Sequence, residues 1–409
     1  MATVTARVPA IRSGPLDWAR RHLFSTPLNA ILSLLFGAGA AVAVIGLIRF
    51  LVEADFRILR VNLALFMVGG FPRAQLWRVG VAAILLASAA GLIGGLVWAS
   101  AAARARQAGL APLRSSTPVQ VLRRFWPFVL LIIVCLALTE TITPTLLTLA
   151  SLVTGSLAYR AGRHSSAGLR RWLWLVVVAI PLFAYWVLSS SGTGWDKWGG
   201  FMLNLFLTVA GVAFAFPFGV MLALGRRSSL PVVRGLTVSY IELIRGVPLI
   251  TLLLMGVFAL GFFLPANLRP SNVTRVLIAI TLFEAAYIAE VIRGGLQAVP
   301  NGQVEAAQSL GLTPTKTTRL IVLPQAFRAT IPAMVGQFIS LFKDTTLVAA
   351  VGMGDVLAAS GFANSQPEFN ARGLARITLP FVALAFWAGS FAMSREAKRL
   401  ERRLGIGER

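Results

Sequence analysis

Apolar residues in this chain come in long unbroken runs, and polar residues gather in the short stretches between them. That is neither the alternation of a half-buried strand nor the one-sided stripe of a surface helix. The runs fall at roughly 28–51, 78–101, 125–139, 143–159, 172–190, 199–224, 240–264, 276–292, 321–342 and 375–394. A helix rises about 1.5 Å per residue and hydrocarbon is about 30 Å thick, so about 20 apolar residues cross it. The pattern predicts an all-α, polytopic integral membrane protein with about 8–10 transmembrane helices. Two runs, 125–139 and 143–159, are short, at about 22–26 Å each. Thr139, Glu140 and Thr141 separate them, and Pro144 follows. The first run is too long for the core of a secretion signal and reads as an uncleaved span, although Arg7, Arg12, Arg20 and Arg21 precede it.

Charge fixes the expected orientation. Of 409 residues, 57% are hydrophobic and only 13% charged, with a mean hydropathy of +0.77. Soluble domains carry about 25% charged residues, so lipid must cover much of this surface. The net charge of +23 would suggest nucleic acid on a soluble protein, but no basic stretch is interleaved with exposed aromatics. The arginines instead sit between apolar runs, as cytoplasmic loops do. Segments 102–124 and 160–171 are both arginine-rich, so the region between them must cross an even number of times, as a short-helix hairpin or a re-entrant pair would. By the same rule both termini, Arg226–Arg234 and the loop around 293–319 are cytoplasmic. Segments 52–77, 189–198 and 344–372 are placed outside. Cys135 lies alone in an apolar run, which excludes disulfides and cysteine metal sites, and His22 and His164 stand in basic segments unsuited to metal.

Composition divides the chain near residue 195. An N-terminal arm (1–27) and accessory helices (28–194) precede a functional core (195–394) and a basic tail (395–409). The core holds nearly all the Gly-, Pro- and acid-containing patterns. Its most informative segment is EAAQSLGLTPTKTTRLIVLP, Glu305–Pro324. Glu305, Ala306 and Ala307 are expected to open a short helix, Gly311 to break it, and Thr313–Pro314 to start another. A polar, small-residue helix pair between spans is poorly suited to lipid and well suited to docking another protein. A generic helix–turn–helix is the alternative.

Glu305, Ala306, Ala307, Gly311, Ile321, Leu323 and Pro324 together resemble the coupling loop of permease subunits in ATP-binding-cassette importers. SYIELIRGVPLI (Ser239–Ile250), AYIAEVIRGGLQAVPNGQ (Ala286–Gln303) and LFKDTTLVAAVG (Leu341–Gly352) look like the polar amino-acid permeases. LFSTPLNAILSLL (Leu23–Leu35) is similar to the M-type permease of the general L-amino-acid importer. The resemblance implies a type I importer permease core in a bacterial inner membrane, with coupling loop 300–324 seated on a separate ATPase that binds ATP and Mg. It also implies a second homologous permease subunit and a periplasmic amino-acid-binding protein. No G-x-x-x-x-G-K-[ST] loop occurs here, so no cofactor is expected on this chain and it is not itself the enzyme.

An amino acid crossing lipid needs an acceptor for its ammonium and a donor for its carboxylate, and charges within spans are expensive. Glu242 and Arg245 share a helix face and either pair with each other or leave Glu242 to substrate. Lys343 and Asp344, about 100° apart, suit an α-carboxylate and an α-ammonium, with Thr345 and Thr346 adding hydroxyls; the alternative is an interfacial cap. Glu290 and Arg293 read as a local ion pair. Glu284 has no basic residue at three or four positions on either side and stands where the family usually has a small or hydroxyl residue. It is a further substrate-pathway candidate. A self-sufficient ion-coupled transporter would accommodate Glu284 but leaves the Glu305 segment unexplained. An intramembrane enzyme lacks paired histidines and a nucleophile elbow.

Overall fold

The computed structural model describes residues 14–54, 56–109, 118–190, 192–370 and 375–404. Arg7 and Arg12, ahead of the first run, and Arg114 and Arg372, within the segments 102–124 and 344–372, lie outside the described residues. Among the described residues there is no strand, only one isolated bridge between Gly200 and Asp355.

The chain forms two compact units, Met1–Phe56 and Arg57–Arg409. The first holds α1 (Pro15–His22) and α2 (Pro27–Glu53). Thr26 caps α2 by accepting from the Asn29 N–H, and Pro27 supplies the preset first turn. No residue of α2 is buried, as expected of a span whose whole surface meets lipid.

The second unit begins with α3 (Arg57–Val68), α4 (Leu76–Gln107), α5 (Pro118–Arg124), α6 (Trp126–Ala137), α7 (Thr143–Arg163) and α8 (Ala167–Ser189). The core helices follow: α9 (Gly200–Gly225), α10 (Pro231–Arg245), α11 (Leu249–Leu254), α12 (Leu260–Phe263), α13 (Asn272–Gln297), α14 (Asn301–Ser309), α15 (Pro314–Thr317), α16 (Leu323–Asp344), α17 (Val356–Asn364) and α18 (Ala375–Leu404). Among the described residues six helices are long and apolar enough to cross a bilayer, seven if the bent pair around Gly246 is one span. Helices α6, α7 and α13 occupy the remaining expected runs without meeting that criterion. No more than 39% of any qualifying apolar window is buried, so the rest faces outward, as lipid contact requires.

Helix α13 is the centre of the core. It packs on α9, α10, α11 and α16, and thirteen of its 26 residues are buried. Leu203, Leu207, Leu253, Val276, Ile280 and Leu341 fill one stretch of this core. Ala215, Ile241, Ile288, Ile292, Val322 and Ala326 fill the other. Close approach is bought with small residues: a Cβ at Gly219 would come within 2.6 Å of Ile288.

Several expectations change. The run 240–264 is not one helix. Helix α10 ends at Arg245, and the chain turns by 102° before Leu249–Ala259. Pro248 lacks an N–H and disfavours helix in the residue before it, Val247, so the helix stops just short of it. The short hairpin 125–159 is also revised. Helix α7 has 21 residues, about 32 Å, while α6 has 12 and spans about 18 Å. They seek different partners, α6 packing on α18 and α7 on α4. The compositional boundary near residue 195 is no seam between compact units, because α3 packs on α9, α17 and α18.

Candidate functional site

The Glu305–Pro324 segment takes the geometry its glycine and proline dictate. Helix α14 begins at Asn301, with Pro300 as N-cap, so Glu305, Ala306 and Ala307 lie inside this helix rather than opening it. It ends in a Schellman turn: the Leu312 N–H donates to the Ala307 carbonyl (3.1 Å) and the Gly311 N–H to that of Gln308 (2.9 Å). Gly311 has φ +76°, a left-handed conformation costly for any residue with a Cβ. Thr313 then caps α15 with extended backbone, and Pro314 takes its first position. A π turn, Thr318–Val322, leads into α16.

Within this bend Ala307, Thr317 and Val322 are buried, and Ile321 and Leu323 are half-buried. Glu305, Ala306, Gly311 and Pro324 are exposed, and Leu310 at the turn is 82% exposed. The inner side is thus anchored to the core while the outer side presents an acid, small residues and one bare leucine. The bend is a knob held from within and bare on its outer side.

A second feature lies just before α14. Glu290 of α13 accepts from Arg226 after α9 (2.7 Å) and from its neighbour Arg293 (2.8 Å), and lies 3.6 Å from Arg245 at the end of α10. Arg226 also reaches Glu242 (3.1 Å). Of the two readings of Glu242 and Arg245, mutual pairing is not what forms: Glu242 meets Arg226 and Arg245 faces Glu290, while the expected Glu290–Arg293 pair forms as part of a larger knot. Arg293 meets Glu290 through two guanidinium nitrogens from three positions away on the same helix, while Arg226 and Arg245 reach it from outside that helix. Arg245 also lies over the Tyr287 ring (5.5 Å). Charges 16 and 64 positions apart meet here, and spacing alone carried no signal for Arg226.

The intramembrane candidates separate into two groups. Glu284 is 1% exposed; its Oε2 accepts from Gln337 on α16 (3.1 Å), and its Oε1 is buried without a hydrogen-bond partner. Gln337 was not singled out from sequence. Asp344 is half-buried and accepts from Ser340 (3.3 Å), while Lys343 is exposed. The Thr346 hydroxyl donates to the Lys343 carbonyl. Thr345 is fully buried: its hydroxyl donates to the Phe342 carbonyl and accepts from Asn204.

Asn204 also donates to Asp355 Oδ2 (3.1 Å) and accepts from the Val356 N–H, while Asp355 caps α17 through the Ala358 N–H (2.8 Å). Burial raises the Asp355 carboxyl above its ordinary range, against the pull of the Ala358 N–H and the Asn204 amide. This knot ties α9 to the end of α16 and the start of α17. An asparagine in an otherwise apolar run was its only sequence signal. No cluster of three or more His, Cys, Asp or Glu residues that could hold a metal occurs among the described residues.

Residues 215–406 match the family described as binding-protein-dependent transport system inner membrane component. The chain is 41% identical over 239 residues to the inner membrane amino-acid ABC transporter permease protein YhdY of Escherichia coli K12, covering 57% of this chain and 64% of that one. It is 36% identical over 444 residues to the glutamate/glutamine/aspartate/asparagine transport system permease protein BztC of Rhodobacter capsulatus, covering 97% of this chain and 95% of that one. A crystal structure of an amino acid ABC transporter with histidines matches half of this chain at 30% identity, with a TM-score of 0.45. Matched along nearly the whole of BztC, and carrying the family's transport segment from 215 onward, the chain belongs to the inner-membrane permease components of amino-acid ABC transporters.

Proposed function

We propose that this chain is the membrane-spanning half of an ATP-driven importer of L-amino acids, broad in range or favouring polar substrates. It would move substrate when a separate ATPase closes against Glu305–Pro324. The observation that carries this reading is the docking knob itself, with an inner side fixed in the core and an outer side of Glu305, Ala306, Leu310 and Pro324 left bare. Closure would pull on α14 and, through Val299 and Pro300, on the Glu290 knot where α9, α10 and α13 meet. A second permease subunit and a periplasmic binding protein would complete the assembly, with both termini and this bend in the cytoplasm, a reading the arginine distribution supports.

Along the pathway, Lys343 is assigned to the substrate carboxylate and Asp344 to its ammonium. Thr346 and Glu242 are further contacts. Thr345 acts through position, since its hydroxyl already holds Asn204 and the Phe342 carbonyl. Glu284 adds a buried acid beside Gln337. Nothing in the fold or among the relatives favours an ion-coupled transporter working alone. Glu305→Lys, on an exposed helical position, leaves membrane insertion intact and abolishes uptake in vesicles holding the complete transporter; unchanged uptake rejects the coupling role.

A further inference from the structure

A strongly basic cleft lies away from the transport features just described. Gln120, Arg123 and Arg124 of α5 and Arg395, Arg399 and Arg402 of α18 line it, together with Trp126, around about 540 Å³. Glu396 pairs with Arg124 and lies 3.9 Å from Arg399. One carboxylate against five guanidiniums leaves the cleft strongly positive. Holding so many like charges together is unfavourable unless an anion joins them, and the planar guanidinium fork matches phosphate oxygens two at a time.

Trp126, the apolar member of the lining, and the side chains around it tell which anion. Trp126 packs edge-on against Trp387 (5.4 Å) and Phe391 (6.2 Å), and Arg395 lies over Phe391 (5.8 Å). Trp126 and Trp387 are 48% and 44% exposed, and beside the arginines Val121 and Leu122 are 40% and 54% exposed. Tryptophans with one wet edge mark the level of lipid head groups, and exposed apolar side chains next to arginines suit a ligand with a charged end and an oily end. A free inorganic anion would use only the first.

We propose that the cleft between α5 and the end of α18 binds the head group of an anionic phospholipid, its phosphate on the arginines and its acyl chains against Trp126 and Trp387. The site goes beyond the transport reading and rests on it only for placing this end of α18 at the cytoplasmic leaflet. The test uses the full chain, purified in detergent and titrated with phosphatidylglycerol or phosphatidylcholine of the same acyl composition, with bound lipid read by native mass spectrometry. Phosphatidylglycerol is retained in clear preference. The Arg123→Gln/Arg395→Gln/Arg402→Gln variant loses about a hundredfold of that preference, about fivefold per arginine. An Arg160→Gln/Arg170→Gln/Arg171→Gln control, equal in charge but on α7 and α8, retains it. Should the triple variant not fold, Arg123→Gln alone, at an exposed position, loses about fivefold. Equal retention of both lipids, equal loss in the control, or displacement of the lipid by inorganic phosphate at the same concentration overturns the proposal.

Discussion

Gly311 offers the cleanest perturbation of the docking knob. Its φ of +76° closes the Schellman turn, and a Cβ added there would meet nothing within 4 Å. Any penalty at this position is therefore backbone strain alone, free of packing. A left-handed alanine costs about 1 kcal/mol, a β-branched valine about 2 kcal/mol, and asparagine, which tolerates this conformation, little. If the ATPase docks only on the closed turn, its apparent affinity falls by the fraction of chains that keep it. Gly311→Ala should then weaken ATPase binding by at most about fivefold and Gly311→Val by more, up to about thirtyfold, with Gly311→Asn within about twofold of wild type. Titrating purified ATPase onto the reconstituted permease and following substrate-stimulated hydrolysis reads these numbers. Equal affinity for Ala, Val and Gly would show that the turn's geometry is not what the ATPase recognises. A loss with Asn as large as with Val would show that side-chain bulk, not backbone, matters.

Further outcomes follow from the same reasoning. Gly91 and Gly95 of α4 press on the carbonyls of Gly155 and Tyr159 on α7, whereas a Cβ at Gly94 would meet only the Tyr159 ring, at 3.4 Å. Gly91→Ala or Gly95→Ala should lower thermal stability in detergent by about 1–3 kcal/mol, and Gly94→Ala should leave it nearly unchanged. Asn204→Leu strands the Asp355 oxygen and the Val356 N–H in a buried site, costing about 2–4 kcal/mol, visible as an earlier melting transition. Glu290→Gln removes the acid shared by Arg226, Arg245 and Arg293. With these groups only partly buried, the loss is about 1–2 kcal/mol of stability, and uptake per ATP hydrolysed should fall more than binding of the ATPase does.

What sequence made legible here was whatever backbone chemistry determines locally. Gly311 and Pro314 specify a turn and a helix start without help from distant residues, and both appear where expected; the apolar runs all became helices, but 240–264 broke in two. The 102° bend before Leu249 lies inside a run that reads as one span, and its angle depends on how α11 packs against α13. Ionic partners were legible where they are local, as in Glu290–Arg293, and not where they come from elsewhere in the chain. Spacing of three suggests Glu242–Arg245, while the actual partners come from three helices whose juxtaposition no local pattern encodes. Asn204 and Asp355 lie 151 positions apart and become meaningful only as a pair. The same holds for Glu284 on α13 and Gln337 on α16, 53 positions apart.

The most direct test of the account is accumulation of labelled amino acids in liposomes, with the purified chain alone and with its ATPase, second permease subunit and binding protein. The account predicts ATP-dependent accumulation in the complete assembly and none with the chain alone under any ion gradient. Accumulation by the chain alone, without nucleotide, would contradict it.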